Sequence, residues 1–319
     1  PPDLTEIMAE ERDLEIDWSE YERLWTEHQE TSKSEDVYDK AAGVGDWTTV
    51  HERTDSQFVG YDNSTGSGDD PFGSADQSLS ADTVVTRYRH LEDQTYQVLL
   101  EKTPFYAEAG GQVGDTGVIE KKEGSLRFEV TDTQETSIGI VHVAELVEGE
   151  VDEASIDGTF HAEVDARHRK SAAANHTATH LLHYVLREDV SESIFQSGSL
   201  VAPDRLRFDF SHDEPLTTEQ LRHIEDRVND MIQRGIDVHV HPRVDREHAV
   251  EKMGAMAIFG EKYGDQVRVI EIDDEDLDLD SVELCGGTHV ENTRDLNLFR
   301  ITRESGVAAG IRRIEAVTG

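Results

Sequence analysis

Two histidines four residues apart, His176 and His180 in Asn175-His176-Thr177-Ala178-Thr179-His180, fall inside an Ala-rich stretch that predicts a helix near 168–188. Positions i and i+4 share one helix face about 6 Å apart, so both imidazoles can reach one ion. The lone cysteine opens Cys285-Gly286-Gly287-Thr288-His289, where two glycines permit a tight path that brings a thiolate and a third imidazole to a common point. His176, His180, Cys285 and His289 thus make a Cys-His₃ set. One soft thiolate with three imidazoles suits Zn²⁺, whereas Mg²⁺ and Ca²⁺ prefer oxygen. The bland alternative is buried core histidines beside an inert thiol. Thr177 stands where a metalloprotease helix of the HExxH type carries its general-base Glu, which excludes that chemistry. His183, three residues after His180, is expected to pack or to face solvent rather than to ligate.

A second candidate is Gln112, in Ala109-Gly110-Gly111-Gln112-Val113-Gly114. There a Gly-rich turn is expected to expose a neutral amide that positions water or a substrate carbonyl; the alternative is a plain hairpin. Basic residues are scarce, so Arg167, Arg169 and Lys170 before the metal helix and Arg312-Arg313 near the end stand out. They are candidates to position phosphates, with pairing to the abundant carboxylates as the alternative. The small apolar run Met253–Gly260 could wall a narrow pocket or simply pack.

The elements that must hold these residues divide the chain by texture. Residues 1–58 show apolar positions at helical spacing, among them Trp18, Tyr21, Leu24 and Trp25. Residues 59–82 are rich in Gly, Ser and Asp and read as a flexible loop. Over 83–166, short alternating runs such as Leu126-Arg127-Phe128-Glu129-Val130 separated by Gly turns predict a small β-barrel-like domain that carries the Gly-rich motif. Residues 167–319 predict an α+β domain around the metal set. Its second helix spans about 218–234, starts with a Thr217/Gln220 capping box and stops at Gly235, and strands follow near 236–241, 266–272, 296–302 and 311–317. The acidic run 273–280 reads as a solvated loop. The expected fold class is α+β.

Composition narrows the functions. Asp and Glu number 69 against 30 Lys and Arg, a formal charge of −39, which disfavours a general nucleic-acid grip. With 22 Arg, 8 Lys and this acidic excess, the surface suits concentrated salt. No run approaches the ~18 apolar residues of a membrane span and no signal-peptide pattern opens the chain, so a soluble, cytoplasmic protein is expected. One cysteine excludes an internal disulfide.

Five blocks in order, TPFYAEAGGQVGDTG, NHTATHLLHYVLRE, MGAMAIFGEKYGD, CGGTHVENT and GVAAGIRRIEAVTG, resemble the editing region of alanyl-tRNA synthetases, here of a haloarchaeal type. The resemblance runs from about residue 83 to the end, and the N-terminal helical stretch resembles the segment that joins tRNA-recognition helices to that region. It implies Zn²⁺ on His176, His180, Cys285 and His289, catalytic roles for Gln112 and Cys285, and hydrolysis of tRNA(Ala) mischarged with serine or glycine. It also implies an excised fragment: ATP and alanine would belong to an aminoacylation domain before residue 1, and a C-terminal tRNA-binding domain would follow residue 319. Two other readings stay open, a free-standing alanyl-tRNA editing protein and a non-catalytic zinc-stabilised module that binds tRNA.

Overall fold

The computed structural model describes residues 46–52, 56–61, 79–257 and 264–319, together with Arg23. The helical expectation for the N-terminal stretch lies almost wholly outside these residues. Of the described residues within it, Arg23 is helical, whereas Thr48–Thr49 (β1) and Gln57–Phe58 (β2) form two short strands instead. Most of the loop expected over 59–82 also lies outside, but its last three residues already belong to a strand.

That strand is β3 (Ser80–His90), followed by β4 (Thr95–Leu100), β5 (Lys102–Thr103), β6 (Gly117–Lys121), β7 (Arg127–Thr136), β8 (Gly139–Glu148) and β9 (Thr159–Val164). Six of them close an antiparallel barrel in the order β3-β4-β8-β7-β6-β9, with β9 returning to pair the first half of β3. Period-two patterning builds it: Phe128 and Val130 point inward while Arg127 and Glu129 face out, and Phe160, Ala162 and Val164 repeat the rule on β9. Val85, Val98, Leu100, Ile119 and Ala144 complete the apolar centre. β1 extends the sheet along β3, and β2 pairs with β5 in parallel.

A mixed α/β region follows. Helix α1 (Ala166–Asp189) starts at Asp165, whose carboxylate accepts from the backbone N–H groups of Arg167 and His168. From Ala172 to Leu186 it is buried on every side, so its sequence shows no simple apolar stripe. Strands β10 (Gln196–Ala202) and β11 (Arg205–Ser211) lead to α2 (Thr218–Arg234), where the Thr217/Gln220 capping box forms and Gly235 takes a left-handed conformation at φ 71°. Ile224, Val228 and Ile232 of α2 share one buried core with Leu181, Leu182 and Val185 of α1 and with Leu206, Phe208 and Phe210 of β11. Then come β12 (His239–Asp245), α3 (Arg246–Glu251), β13 (Gln266–Asp274), β14 (Leu279–Leu284), β15 (Phe299–Ala308) and β16 (Ile311–Thr318). They complete a four-stranded sheet, β10-β11-β16-β15, and a three-stranded sheet, β12-β13-β14.

The acidic run 273–280 departs from the loop expected of it. It forms the end of β13, a 3₁₀ turn over Glu275–Leu277 and the start of β14, because Leu279 is buried and Asp274 caps the turn through Oδ1. Among the described residues no helix is long and apolar enough to cross a membrane.

Candidate metal centre and cavity

Two connections fix the barrel to the helix that carries the histidine pair. The Gly-rich turn lies along β10, with Val201 N–H donating to Gly111 O at 2.7 Å and Val113 N–H donating to Val201 O at 3.0 Å. Gly111 sits at φ 84° and a Cβ there would come 2.7 Å from Ser199 O, so both conformation and space require glycine. Beneath it, Asp115 is buried against Arg169 of α1, whose Nε lies 2.9 Å from Asp115 Oδ2, while Arg169 Nη2 donates to Pro104 O at 2.8 Å. Arg169 is therefore not available to a phosphate: its charge is spent inside the protein joining α1 to the barrel.

The metal set converges. Donor atoms of His176, His180, Cys285 and His289 all lie within 4.8 Å of one another. Cys285 Sγ is 3.4 Å from His176 Nε2 and 3.3 Å from His289 Nε2. In a tetrahedral zinc shell with Zn–S of about 2.3 Å and Zn–N of about 2.0–2.1 Å, the sulfur-to-nitrogen edge is about 3.5 Å, so these residues fit the ion. Helix α1 presents two ligands one turn apart. The tight turn after β14 presents the other two, and a Cβ on Gly287 would overlap the His176 imidazole.

Two of the imidazoles have their second nitrogen held by a hydrogen bond, the outer-shell arrangement that fixes ring orientation in metal sites, and the third faces a carboxylate. His176 Nδ1 donates to Gln112 Oε1 at 2.8 Å. His180 Nδ1 lies 3.3 Å from the carboxylate of Glu283. His289 Nδ1 is 3.1 Å from Thr177 Oγ1, a hydroxyl that already donates to Ala173 O and accepts from Val290 N–H. Its proton is used, so the Thr177 oxygen accepts from His289 and leaves Nε2 bare on the side of the cluster. The position that distinguishes this helix from a metalloprotease thus supports a ligand.

Electrostatics follow the same contacts. Burial opposes charge on Cys285, but the His176, His289 and His180 rings outweigh it and hold the thiol well below its usual range. Burial, reinforced by His176, pushes His289 well below the usual imidazole value. Burial would also lower His180, yet Glu283 and then Cys285 carry it up to about 9. Glu283, despite its burial, is held below the usual carboxylate range by His180 and His183.

Gln112 corrects one expectation. Its amide is fully buried rather than exposed, because it is consumed within the cluster: Oε1 accepts from His176 and from Thr288 N–H at 2.9 Å, and Nε2 donates to Thr288 Oγ1 at 2.8 Å. It holds two halves of the site together. Among the basic candidates, Arg313 grips Asp209 at 2.6 and 2.7 Å, and Arg312 Nε donates to Glu304 at 2.7 Å, the carboxylate-paired alternative. Arg167 and Lys170 are exposed, with Lys170 Nζ 3.2 Å from Asp295. Of the small apolar run, Ala255 is buried and residues 258–260 lie outside the described residues.

Sequence reasoning missed Glu283, which bridges His180 and His183; its signal was an acid inside the otherwise apolar end of β14. It also missed Arg268, which donates to Cys285 O at 2.9 Å and Gly287 O at 2.8 Å, and Tyr61, whose ring lies 4.6 Å from the Arg268 guanidinium carbon. Burial pushes the Tyr61 phenol up to about 12, so it stays a neutral donor to Gly286 O.

Beside the cluster is a cavity of about 130 Å³ whose walls include Tyr106, Ala109 and Gly110 of the barrel turn, Thr179 and His183 of α1, Ser199 of β10 and the Cys285–Gly287 turn. A larger open depression of about 1060 Å³ runs along α3, bounded by residues such as Arg246 and Glu251, and among the described residues no set of metal donors converges there.

The family model for class II (A) tRNA synthetases matches residues 1–167, and that for the second additional domain of threonyl and alanyl tRNA synthetases matches 267–315, which includes Cys285 and His289. Along its whole length the chain is 44% identical to the alanine–tRNA ligase of Salinibacter ruber, covering 31% of that protein. It is likewise 44% identical to that of Caldicellulosiruptor saccharolyticus and 41% identical to that of Myxococcus xanthus, covering 34% of each. The chain thus spans about a third of the length of the curated relatives it matches. They give no support to a haloarchaeal source. The His176, His180, Cys285 and His289 cluster matches the zinc site of that editing region. The chain belongs to the class II (A) tRNA synthetases and spans the editing region of an alanyl-tRNA synthetase.

Proposed function

We propose that this chain hydrolyses the ester of tRNA(Ala) mischarged with serine or glycine. The observation that carries the reading is a buried four-donor metal cluster opening on a cavity of about 130 Å³, room for a small acyl group and not for a nucleotide. A synthetic pocket that admits alanine cannot exclude glycine by size and discriminates weakly against one added hydroxyl, so a second, hydrolytic sieve is needed. Bound Zn²⁺ supplies a Lewis acid that orients the substrate or polarises its carbonyl. Cys285 and the three imidazoles hold that ion, while Gln112, Thr177 and Glu283 aim the imidazoles. The exposed Arg167 and Lys170 at the start of α1 are placed to meet tRNA phosphates. We assign to the barrel domain the expected residues 83–166, extended back to Ser80 so that it includes all of β3, and residues 167–319 to the zinc-containing domain.

A deacylation time course with Ser-tRNA, Gly-tRNA and Ala-tRNA tests the proposal. Ser-tRNA and Gly-tRNA should be hydrolysed well above the no-enzyme rate and Ala-tRNA much more slowly. Equal rates for Ala-tRNA and Ser-tRNA would refute selective editing, and zinc-dependent tRNA binding without turnover would favour the non-catalytic module.

A further inference from the structure

One buried side chain at the cavity has no part in holding the metal. His183 lies three residues beyond His180 on α1, is 6% exposed and forms part of the cavity wall. Its Nδ1 is 3.2 Å from Glu283 Oε1, while the other oxygen of the same carboxylate reaches His180. A carboxylate only accepts, so Nδ1 carries a ring proton, and in the neutral imidazole Nε2 then carries the lone pair. That Nε2 is buried with no hydrogen-bond partner among the described residues. The ring is steadied by Phe208, 5.2 Å away between centroids. A buried acceptor left unpaired carries its full desolvation penalty, and beside a cavity a ligand donor can relieve it.

We infer that His183 Nε2 accepts a hydrogen bond from the side-chain hydroxyl of a seryl group held in this cavity, which makes His183 the residue that separates serine from alanine. The inference rests on the deacylation reading above. The methyl of alanine cannot donate and leaves Nε2 unpaired, and a site built to bond a hydroxyl discriminates steeply against an analogue that lacks it. The α-ammonium is also a donor, but it is common to seryl, alanyl and glycyl esters and cannot distinguish them.

The test titrates the zinc-loaded chain with hydrolysis-resistant 3′-amides of 3′-amino-3′-deoxyadenosine bearing serine or alanine, followed by calorimetry. The wild type should bind the seryl amide about tenfold or more tighter than the alanyl amide. His183→Asn keeps an N–H for Glu283 but removes the Nε2 acceptor, and His183→Leu removes both. In each the seryl-to-alanyl affinity ratio should collapse toward one, with zinc content and far-ultraviolet circular dichroism as in the wild type. A ratio preserved in His183→Asn overturns the inference. So does an equal loss for both amides, which would assign His183 to the ammonium or to packing, and so does loss of zinc, which would make it a support for Glu283. If the wild type hydrolyses none of the mischarged tRNAs, the deacylation reading itself fails, whatever these ratios show.

Discussion

His142 in the barrel and His176 in the metal cluster are both buried, and the difference between them lies in where the second nitrogen goes. His142 Nδ1 donates to Val98 O at 2.9 Å, and its Nε2 accepts from Thr103 Oγ1 at 2.7 Å. Both ring nitrogens are consumed, and the residue is structural. His176 spends Nδ1 on Gln112 and turns Nε2 toward Cys285 Sγ, as His289 does through Thr177. Burial therefore does not mark a functional histidine; the convergence of ring nitrogens with a thiol on one point does.

Removing the sulfur from the convergent set gives the largest expected effect. Cys285→Ala should lose both bound zinc and deacylation, because a three-imidazole remnant leaves the shell incomplete. Elemental analysis of the purified variant beside a Ser-tRNA time course decides it. Full zinc occupancy would remove Cys285 from the ligand set and erase the contrast with His142.

The buried ion pair under the Gly-rich turn comes next. Asp115 is 1% exposed and Arg169 2%, so Arg169→Met leaves a buried carboxylate without its partner, at a cost of about 3–5 kcal/mol. Urea denaturation of wild type and variant measures it. A loss under about 1 kcal/mol would mean that Asp115 finds water or another donor once Arg169 is gone.

His142 itself predicts an acid sensitivity. Burial lowers it from 6.5 to about 4, so the folded protein holds the ring neutral where the unfolded chain would protonate it. Because the folded value lies below the unfolded one, this contribution is complete above about pH 6.5 and drains as pH falls toward about 4, amounting to about 3 kcal/mol. Unfolding free energies at pH 7 and pH 4.5 should differ by less in His142→Asn than in the wild type. An identical difference would show that His142 is not the group that titrates.

Much of this was legible in the sequence, for identifiable reasons. α2 could be bounded to the residue because Thr217, Gln220 and Gly235 are local signals that act within one turn. The four metal donors were legible because i, i+4 spacing and a glycine-paired Cys-x-x-x-His turn constrain geometry without tertiary knowledge. The burial of Gln112 and the choice between phosphate and carboxylate for Arg169 were not legible because their partners, Thr288 and Asp115, lie 176 and 54 residues away, and nothing local says that a Gly-rich turn is covered by another strand. The run 273–280 was misread because its acids alternate across a hairpin, where Leu279 supplies the buried anchor.

The role assigned to Gln112 can be sharpened against its misreading. An exposed amide acting on substrate would leave zinc binding intact when removed. An amide that holds His176 Nδ1 should instead cost about 10–100-fold in zinc affinity in Gln112→Ala. Chelator competition reads this directly. Wild-type zinc affinity combined with slow turnover would restore the substrate-facing role.

The smallest effect is expected next to one of the largest. Lys170 follows Arg169 in α1, but its side chain is 67% exposed and its partner Asp295 is 41% exposed. Water screens that pair, so Lys170→Ala should change stability by less than about 1 kcal/mol, against the several expected for Arg169→Met. Its consequence should appear in tRNA binding instead. A lysine that meets one phosphate releases about one counterion, so the slope of log affinity against log salt should fall by about one in Lys170→Ala. Binding of uncharged tRNA(Ala) measured from 0.1 to 0.5 M KCl supplies that slope. An unchanged slope would confine Lys170 to its contact with Asp295 and leave Arg167 as the cation at this end of α1 to test.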